Sequence, residues 1–551
     1  MSQVRVSQAS YNSDINNKNI IQSDTPEVGL KRVLSAFDLI MMGVGCIIGV
    51  GIYILSGVAA ANYAGPAVVL SFILAGTLCG FVALAYGELA SMFPLAGSAY
   101  SYSYYAFGKR VAWFLGWTLL LEYTVAASAV SSGWSAYFQR LLAKLHIIWP
   151  ASLGATPGSL PDGQWSINLP AVIILTIITT ISVRGIQESA KFNNVMAIVK
   201  ILVLLLFIGF GACYINPANW HPFIPERIAT VVAHSGSSNG FWELPLFDIF
   251  GSFFRPGGLN ALINNQSQFW HFGFQGILTG SAIVFFTYVG FDMVSATSEE
   301  TKNPIRDIPI GIIGSLLIST VLYIAVSLVL TGIMSPVING LPNEKLIGSQ
   351  AAAPLDVALS SLAERLPGLH GMINFVSGSL SIGALAGITT TLLALALGLS
   401  RILLAISRDG FLPPFFAKIH DKFQTPYIAT LFSNALIALI AASLPIGKLA
   451  ELCNLGTLAA FVFVCLSVII LRKKHPEFKR AFICPAVPWV PLIGIFFCLV
   501  LMLSLPLITW IWFGAWLLIG VAIYWGYGRK RAADFPNAET LKKAVEGYSG
   551  F

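Results

Sequence analysis

Four glycines fall within nine residues of an otherwise apolar run, Gly43-Val44-Gly45-Cys46-Ile47-Ile48-Gly49-Val50-Gly51. The run, 37–58, is long enough to cross a bilayer as a helix. Glycine, however, is the poorest helix former after proline. A broken helix at membrane depth is tolerated only where protein or a watery cavity receives its backbone groups. The run therefore reads as half of a binding site. A second interrupted stretch, Phe285-Phe286-Thr287-Tyr288-Val289-Gly290-Phe291-Asp292, follows about 240 residues later. Two broken spans in corresponding halves of a membrane chain point to the substrate site of a secondary transporter.

Composition sets the class. Of 551 residues, 56% are hydrophobic and 10% charged, with mean hydropathy +0.76. Soluble domains carry about 25% charged residues. The chain reads as an all-α polytopic membrane protein with twelve transmembrane helices. These are expected near 37–58, 66–90, 110–138, 169–184, 192–214, 274–297, 308–333, 371–400, 427–446, 449–471, 486–506 and 508–527. A polar tail, 1–30, precedes a core over 31–527, and a tail over 528–551 follows. The first tail has no signal-peptide pattern, so the first span itself directs the chain to the membrane. The seven cysteines lie in or beside apolar spans without metal-ligand spacing and read as small core residues.

Lysine and arginine give the orientation. The tails and the even-to-odd connections carry 24 of the 32, the opposite loops seven, and Lys200 lies inside a span. That asymmetry puts both termini in the cytoplasm of a cell membrane. It also places the basic excess at membrane edges rather than on a face for nucleic acid. The long outer loop, about 215–273, reads as interfacial turns or short helices. Asn265-Gln266-Ser267 within it fits a glycosylation acceptor.

Ionisable residues inside spans are costly and usually functional. Lys200 is either a snorkelling side chain about 12 Å from a span end, or an ammonium that loads and releases a proton. Glu122 either faces a cavity or hydrogen-bonds a neighbouring helix. Asp292, beside the second break, is expected to cap exposed N–H groups. Asp38 and Glu88, near span ends, read as capping or anchoring groups. No P-loop, H-E-x-x-H or G-x-S-x-G occurs. The chain does not read as an enzyme, no cofactor or metal site is expected, and transport would run on a gradient.

An ordered set of motifs carries a family likeness. It comprises Gly45 through Tyr53, Tyr86-Gly87-Glu88-Leu89-Ala90, Pro94 through Tyr100, Gly116-Trp117, Leu121-Glu122-Tyr123, Phe285 through Asp292, Glu299 through Pro304, Ser407 through Pro413, and Thr425-Pro426. The set resembles the amino acid–polyamine–organocation superfamily, in its cationic-amino-acid-transporter branch, and the bacterial-type permeases within it. The resemblance implies the leucine-transporter fold: two inverted five-helix repeats with broken helices 1 and 6, plus two more helices. It implies that backbone at Ile47, Ile48, Gly49, Val50 and Gly51 holds a substrate carboxylate. Carbonyls at Phe286, Thr287 and Val289 would take the α-ammonium, with Phe286 also the aromatic gate. Lys200 would stand where related transporters hold sodium, and Glu122 would act in gating or coupling.

The function so implied is proton-coupled uptake of L-amino acids by alternating access, by a chain functional as a monomer among membrane lipids. The apolar wall Leu392-Leu393-Ala394-Leu395-Ala396 argues for neutral over cationic side chains. Alternatives are an amino acid or polyamine exchanger without proton coupling, and a membrane amino acid sensor. The short tails weigh against the sensor.

Overall fold

A helix stands at each of the twelve positions expected from hydropathy, and the breaks within them set the architecture. The structure is a computed structural model. It describes residues 32–531 apart from 94–97, 158–164, 185, 227, 232–245, 247–248, 250–267, 339, 348–353, 445 and 479.

The first helix, α1 (Ala36–Ile47), starts at a reciprocal cap. Ser35 Oγ accepts from the Asp38 N–H, and Asp38 Oδ2 accepts from the Ser35 N–H at 2.9 Å. Asp38 is thus a capping group, as expected. The helix stops at Ile48, whose ψ of 90° leaves the helical range. Winding resumes at Gly51 and runs to Ala64, partly with the wider π turn. Gly65 (φ +62°) and Pro66 then turn the chain into α2 (Val68–Met92). A short helix that the sequence did not announce, α3 (Ala99–Phe107), leads to α4 (Lys109–Lys144).

There follow α5 (Leu169–Arg184), α6 (Ile186–Ala212), α7 (Gly273–Phe285), the single turn α8 (Met293–Ala296) and α9 (Pro304–Ile333). Next are α10 (Pro354–Arg365), α11 (His370–Arg408), α12 (Tyr427–Ser443) and α13 (Ile446–Lys474). The last are α14 (Trp489–Leu503) and α15 (Leu507–Ile523).

Among the described residues, eight helical stretches are long and apolar enough to cross a membrane. One of them, Ala36–Met92, contains two of the expected spans. Helices α5, α12 and α14 are apolar but shorter. The protein is therefore a polytopic helical membrane protein.

Burial separates centre from edge. The apolar window of Lys109–Ala143 is 94% buried inside the molecule, whereas that of Leu507–Arg531 is only 22% buried. Helix α4 is the axis, with α11 and α13 packed along it, while α9 packs on α1 and α2. The last helix turns most of its apolar surface outward, as a lipid-facing helix must.

In the described parts of the outer loop, a 3-10 turn at Pro217–Trp220 precedes β1 (Ile228–Val231), which pairs antiparallel with β2 (Gln268–His271), Ile228 opposite His271. Pairing the two ends of a long loop satisfies backbone groups that isolated turns would leave to water. The glycosylation triplet Asn265-Gln266-Ser267 lies outside the described residues. Cys213 is exposed, at the end of α6, and not a core residue; the other six cysteines are buried.

Candidate functional site

Where α1 stops, its last carbonyls have no partners inside the helix. Side chains from three other helices supply them. Lys200 on α6 donates to the carbonyls of Gly45 and Ile48, each at 2.8 Å, and to Thr390 Oγ1 at 3.0 Å. Thr390 and Thr391 on α11 also reach the Gly45 carbonyl, at 2.9 and 3.1 Å. Tyr323 on α9 donates to the Ile47 carbonyl at 2.7 Å.

Lys200 does not snorkel. Its side chain is fully buried, and the three N–H groups of an ammonium find three acceptors. An uncharged amine has two N–H groups and a lone pair, so it keeps all three contacts only if the Thr390 hydroxyl turns its proton to the nitrogen and gives up its own bond to the Gly45 or Gly387 carbonyl. The protonation state of Lys200 is thereby tied to how α6 and α11 grip the break.

Two of the glycines do not do what ligand access alone would require. A Cβ on Gly49 would sit 2.2 Å from Thr391 Oγ1, and one on Gly51 would sit 2.7 Å from the Cα of Thr287. Both positions let a neighbouring helix reach the break. Gly49 and Gly51 also line the cavity, so close packing and cavity wall coincide.

The second break is built differently. Helix α7 tightens into a 3-10 turn, Phe286–Tyr288, and Val289 then leaves the helical range (ψ 133°). Gly290 follows with φ +105°, a conformation that L side chains rarely adopt, and a Cβ there would collide with Cys46 Sγ. Thr287 Oγ1 donates to the Val284 carbonyl at 2.6 Å, and the Val289 N–H to the Phe286 carbonyl at 3.3 Å. The Thr287 carbonyl accepts from Tyr323 at 2.9 Å. Asp292 makes no N-cap bond to the single turn α8, but its carboxylate lies against the backbone N–H groups of Gly290 and Met293 at the break, as expected of a capping group, and also accepts from the Tyr123 hydroxyl at 2.7 Å.

Between the breaks lies a small cavity of about 10 Å³, room for roughly one water. The backbone side is formed by Ile47, Gly49, Val50 and Gly51, with Phe286 and Val289 opposite. Cys46, Ala126, Val130, Thr391 and Leu395 complete the lining. The structure thus brings together six of the eight residues expected around a substrate. The other two stand just behind: Ile48 turns its carbonyl to Lys200, and Thr287 turns its own to Tyr323. An amino acid needs these walls to part.

Glu122 lies outside this cavity. It is buried against α13, where a Cβ on Gly456 would approach its Cβ at 3.5 Å. The Glu122 carboxyl faces the Thr457 hydroxyl on α13.

Beyond the cavity, toward the α1 N-terminus, buried ion pairs hold the helices together. Arg401 on α11 pairs with Glu300 at 2.7 Å, both side chains inaccessible. Glu88 pairs with Arg472 and Arg480 and accepts the Cys484 N–H, which makes it an anchor as expected.

Ala126, Val130 and Tyr323 were not singled out from the sequence. The first two look like any apolar span residue. The third carried one signal: a hydroxyl inside the apolar run Leu322-Tyr323-Ile324 must find a partner.

A family model described as "Amino acid permease" matches residues 34–526. The "Methylthioribose transporter" of Bacillus subtilis (strain 168) is 42% identical, over 93% of this chain and 96% of its own length. The "Branched-chain amino acid permease BcaP" of the same organism is 41% identical, over 94% and 97%. "Cationic amino acid transporter 9, chloroplastic" of Arabidopsis thaliana is 36% identical, over 81% of this chain and 68% of its own length.

Proposed function

Because the chain belongs to the amino acid permease family, within the amino acid–polyamine–organocation superfamily, we propose that it takes up neutral, branched-chain L-amino acids together with protons. In this reading twelve helices cross the membrane, ten of them as two inverted five-helix repeats, with both termini cytoplasmic. The monomer is the working unit. Substrate carboxylate meets N–H groups at the start of the outer half of the first span, a helix N-terminus. Substrate ammonium meets the carbonyls at the end of α7.

The observation that supports proton coupling is the fully buried Lys200 nitrogen with three oxygen neighbours at the first break. Charged, it donates to all three and ties α6 to that break. Neutral, it draws the Thr390 hydroxyl's proton away from the Gly45 carbonyl, and the grip loosens. Glu122 makes no hydrogen bond to either break and acts on the second only through its charge interaction with Asp292, which makes it the lesser candidate. Substrate class rests on the apolar lining. Ala126, Val130, Val289 and Leu395 offer contact for a short branched side chain, and no acid lines the cavity to meet a cationic one. The relative named for branched-chain amino acids supports the same class.

A second reading, uptake of methylthioribose, is favoured by the relative of that name. One experiment separates the readings. Purified protein in liposomes is offered labelled leucine, arginine or methylthioribose with and without an inward proton gradient. Leucine should accumulate, and a protonophore should abolish the accumulation. Arginine competing better than leucine overturns the substrate class, and accumulation of methylthioribose alone selects the second reading. Accumulation of leucine by Lys200→Ala with unchanged pH dependence overturns the coupling role. Gradient-independent counterflow in the unmodified protein would instead indicate an exchanger.

A further inference from the structure

The Tyr323 hydroxyl lies 2.7 Å from the Ile47 carbonyl and 2.9 Å from the Thr287 carbonyl. It therefore touches both breaks at once. A phenol has one proton to donate, so at any moment one of the two carbonyls goes without it. No other donor reaches either oxygen among the described residues.

The ring itself has little freedom. It is fully buried, packed on Phe72 at 5.5 Å and on Tyr288 at 5.2 Å between centroids. The phenol O–H prefers the plane of its ring, where it has two orientations. A fixed ring, a two-position rotor and two acceptors make a two-state element.

We propose that Tyr323 is a positioning residue that reports substrate occupancy from one break to the other. With the site empty, its proton serves the Thr287 carbonyl. When a substrate ammonium takes that carbonyl, the proton turns to Ile47, and both carbonyls are then satisfied. The inference rests on the reading above that the substrate carries an α-ammonium to the end of α7. An occupied site thereby strengthens the link between α9 and the end of α1, the half-helix that Lys200 also grips. Nothing is made or broken covalently; one hydrogen bond changes partner.

The test compares leucine with its keto acid, which has the same carbon skeleton and carboxylate but no ammonium. The phenyl variant is a poor probe, since removing the hydroxyl takes one hydrogen bond from the empty site and one from the occupied site; Tyr323→Phe should bind leucine within about threefold of wild type. The informative measurement is 3-fluorotyrosine at position 323, which keeps the ring and hydroxyl, followed by fluorine resonance in lipid nanodiscs as each ligand is added. The resonance should move with leucine and not with the keto acid. Identical responses to the two ligands overturn the proposal, and so does a resonance that moves with neither while leucine binds. Failure of the protein to bind leucine removes the reading beneath the inference, a result distinct from an unmoved resonance.

Discussion

The two breaks solve the same backbone problem in opposite ways. At the first, the orphaned carbonyls of Gly45, Ile47 and Ile48 are satisfied entirely by side chains from α6, α9 and α11. At the second, the bonds are mostly local, Thr287 to Val284 and Val289 to Phe286, within three residues of each other. A break held from outside changes when its holders change. A break that holds itself keeps its shape. On the proposed reading, the contrast points to movement in the first span and a fixed platform in the sixth, with Tyr323 the one side chain hydrogen-bonded to both among the described residues.

The largest effect should come from removing the main external holder. Lys200→Met keeps the apolar stem and deletes the ammonium. The Gly45 carbonyl retains Thr390 and Thr391, so the Ile48 carbonyl is the one orphaned. An unsatisfied buried polar group costs about 1–3 kcal/mol, and on the proposed coupling proton-driven uptake should fall by roughly ten- to a hundredfold. Uptake assays and thermal unfolding of the same preparation check both parts. Normal accumulation with a lowered melting temperature would leave the lysine as a brace only.

Next in its effect on transport, though larger in stability, is a lesion in the self-held break. Gly290→Ala places a side chain at φ +105° and against Cys46 Sγ. Strain of about 1–3 kcal/mol adds to overpacking of about 1–3 kcal/mol. Cys46→Ala in the same chain should recover the packing part and not the strain. Full recovery of melting temperature in the double variant would show that collision, not backbone conformation, makes Gly290 necessary.

Much of this was legible beforehand, for physical reasons. Breaks advertise themselves because glycine is conspicuous in an apolar run, and Lys200 because charge is. Even so, nothing in the sequence says that Thr391 and Thr287 occupy the space that Cβ atoms on Gly49 and Gly51 would take. Sequence shows that a backbone is bare, not which neighbour approaches it. Tyr323, Ala126 and Val130 stayed hidden because long-range contacts leave no periodic trace along the chain. Helix α3 escaped notice because its tyrosine-rich, weakly amphipathic run has neither the length nor the hydropathy of a span.

A smaller effect follows where the sixth span is most self-sufficient. Thr287→Val conserves shape and removes only the bond to the Val284 carbonyl. The cost should be about 0.5–1.5 kcal/mol, with leucine affinity within about threefold of wild type. A loss matching that of Lys200→Met would erase the distinction between the two breaks.

The smallest effect lies outside both breaks and supplies a reference. Just past the end of α11, Asp409 accepts a short hydrogen bond from Tyr100 on α3. Burial pushes its carboxyl up from an ordinary 3.8 to about 6, against the opposing pull of Tyr100 and Arg408. The folded protein therefore holds this proton more tightly than the unfolded chain does. Asp409 contributes most to stability below pH 3.8, and the contribution declines as pH rises toward about 6, then stays level. Asp409→Asn keeps the shape and an acceptor for Tyr100 but cannot ionise. Its melting temperature should lack that decline, so the two proteins should differ most in slope between pH 3.8 and about 6. Transport should be untouched, since neither break is contacted. Parallel melting curves across the window would mean that Asp409 ionises as freely in the folded protein as in the unfolded chain. A shift in the pH dependence of uptake would instead make the α3–α11 contact a second point of control beside Lys200.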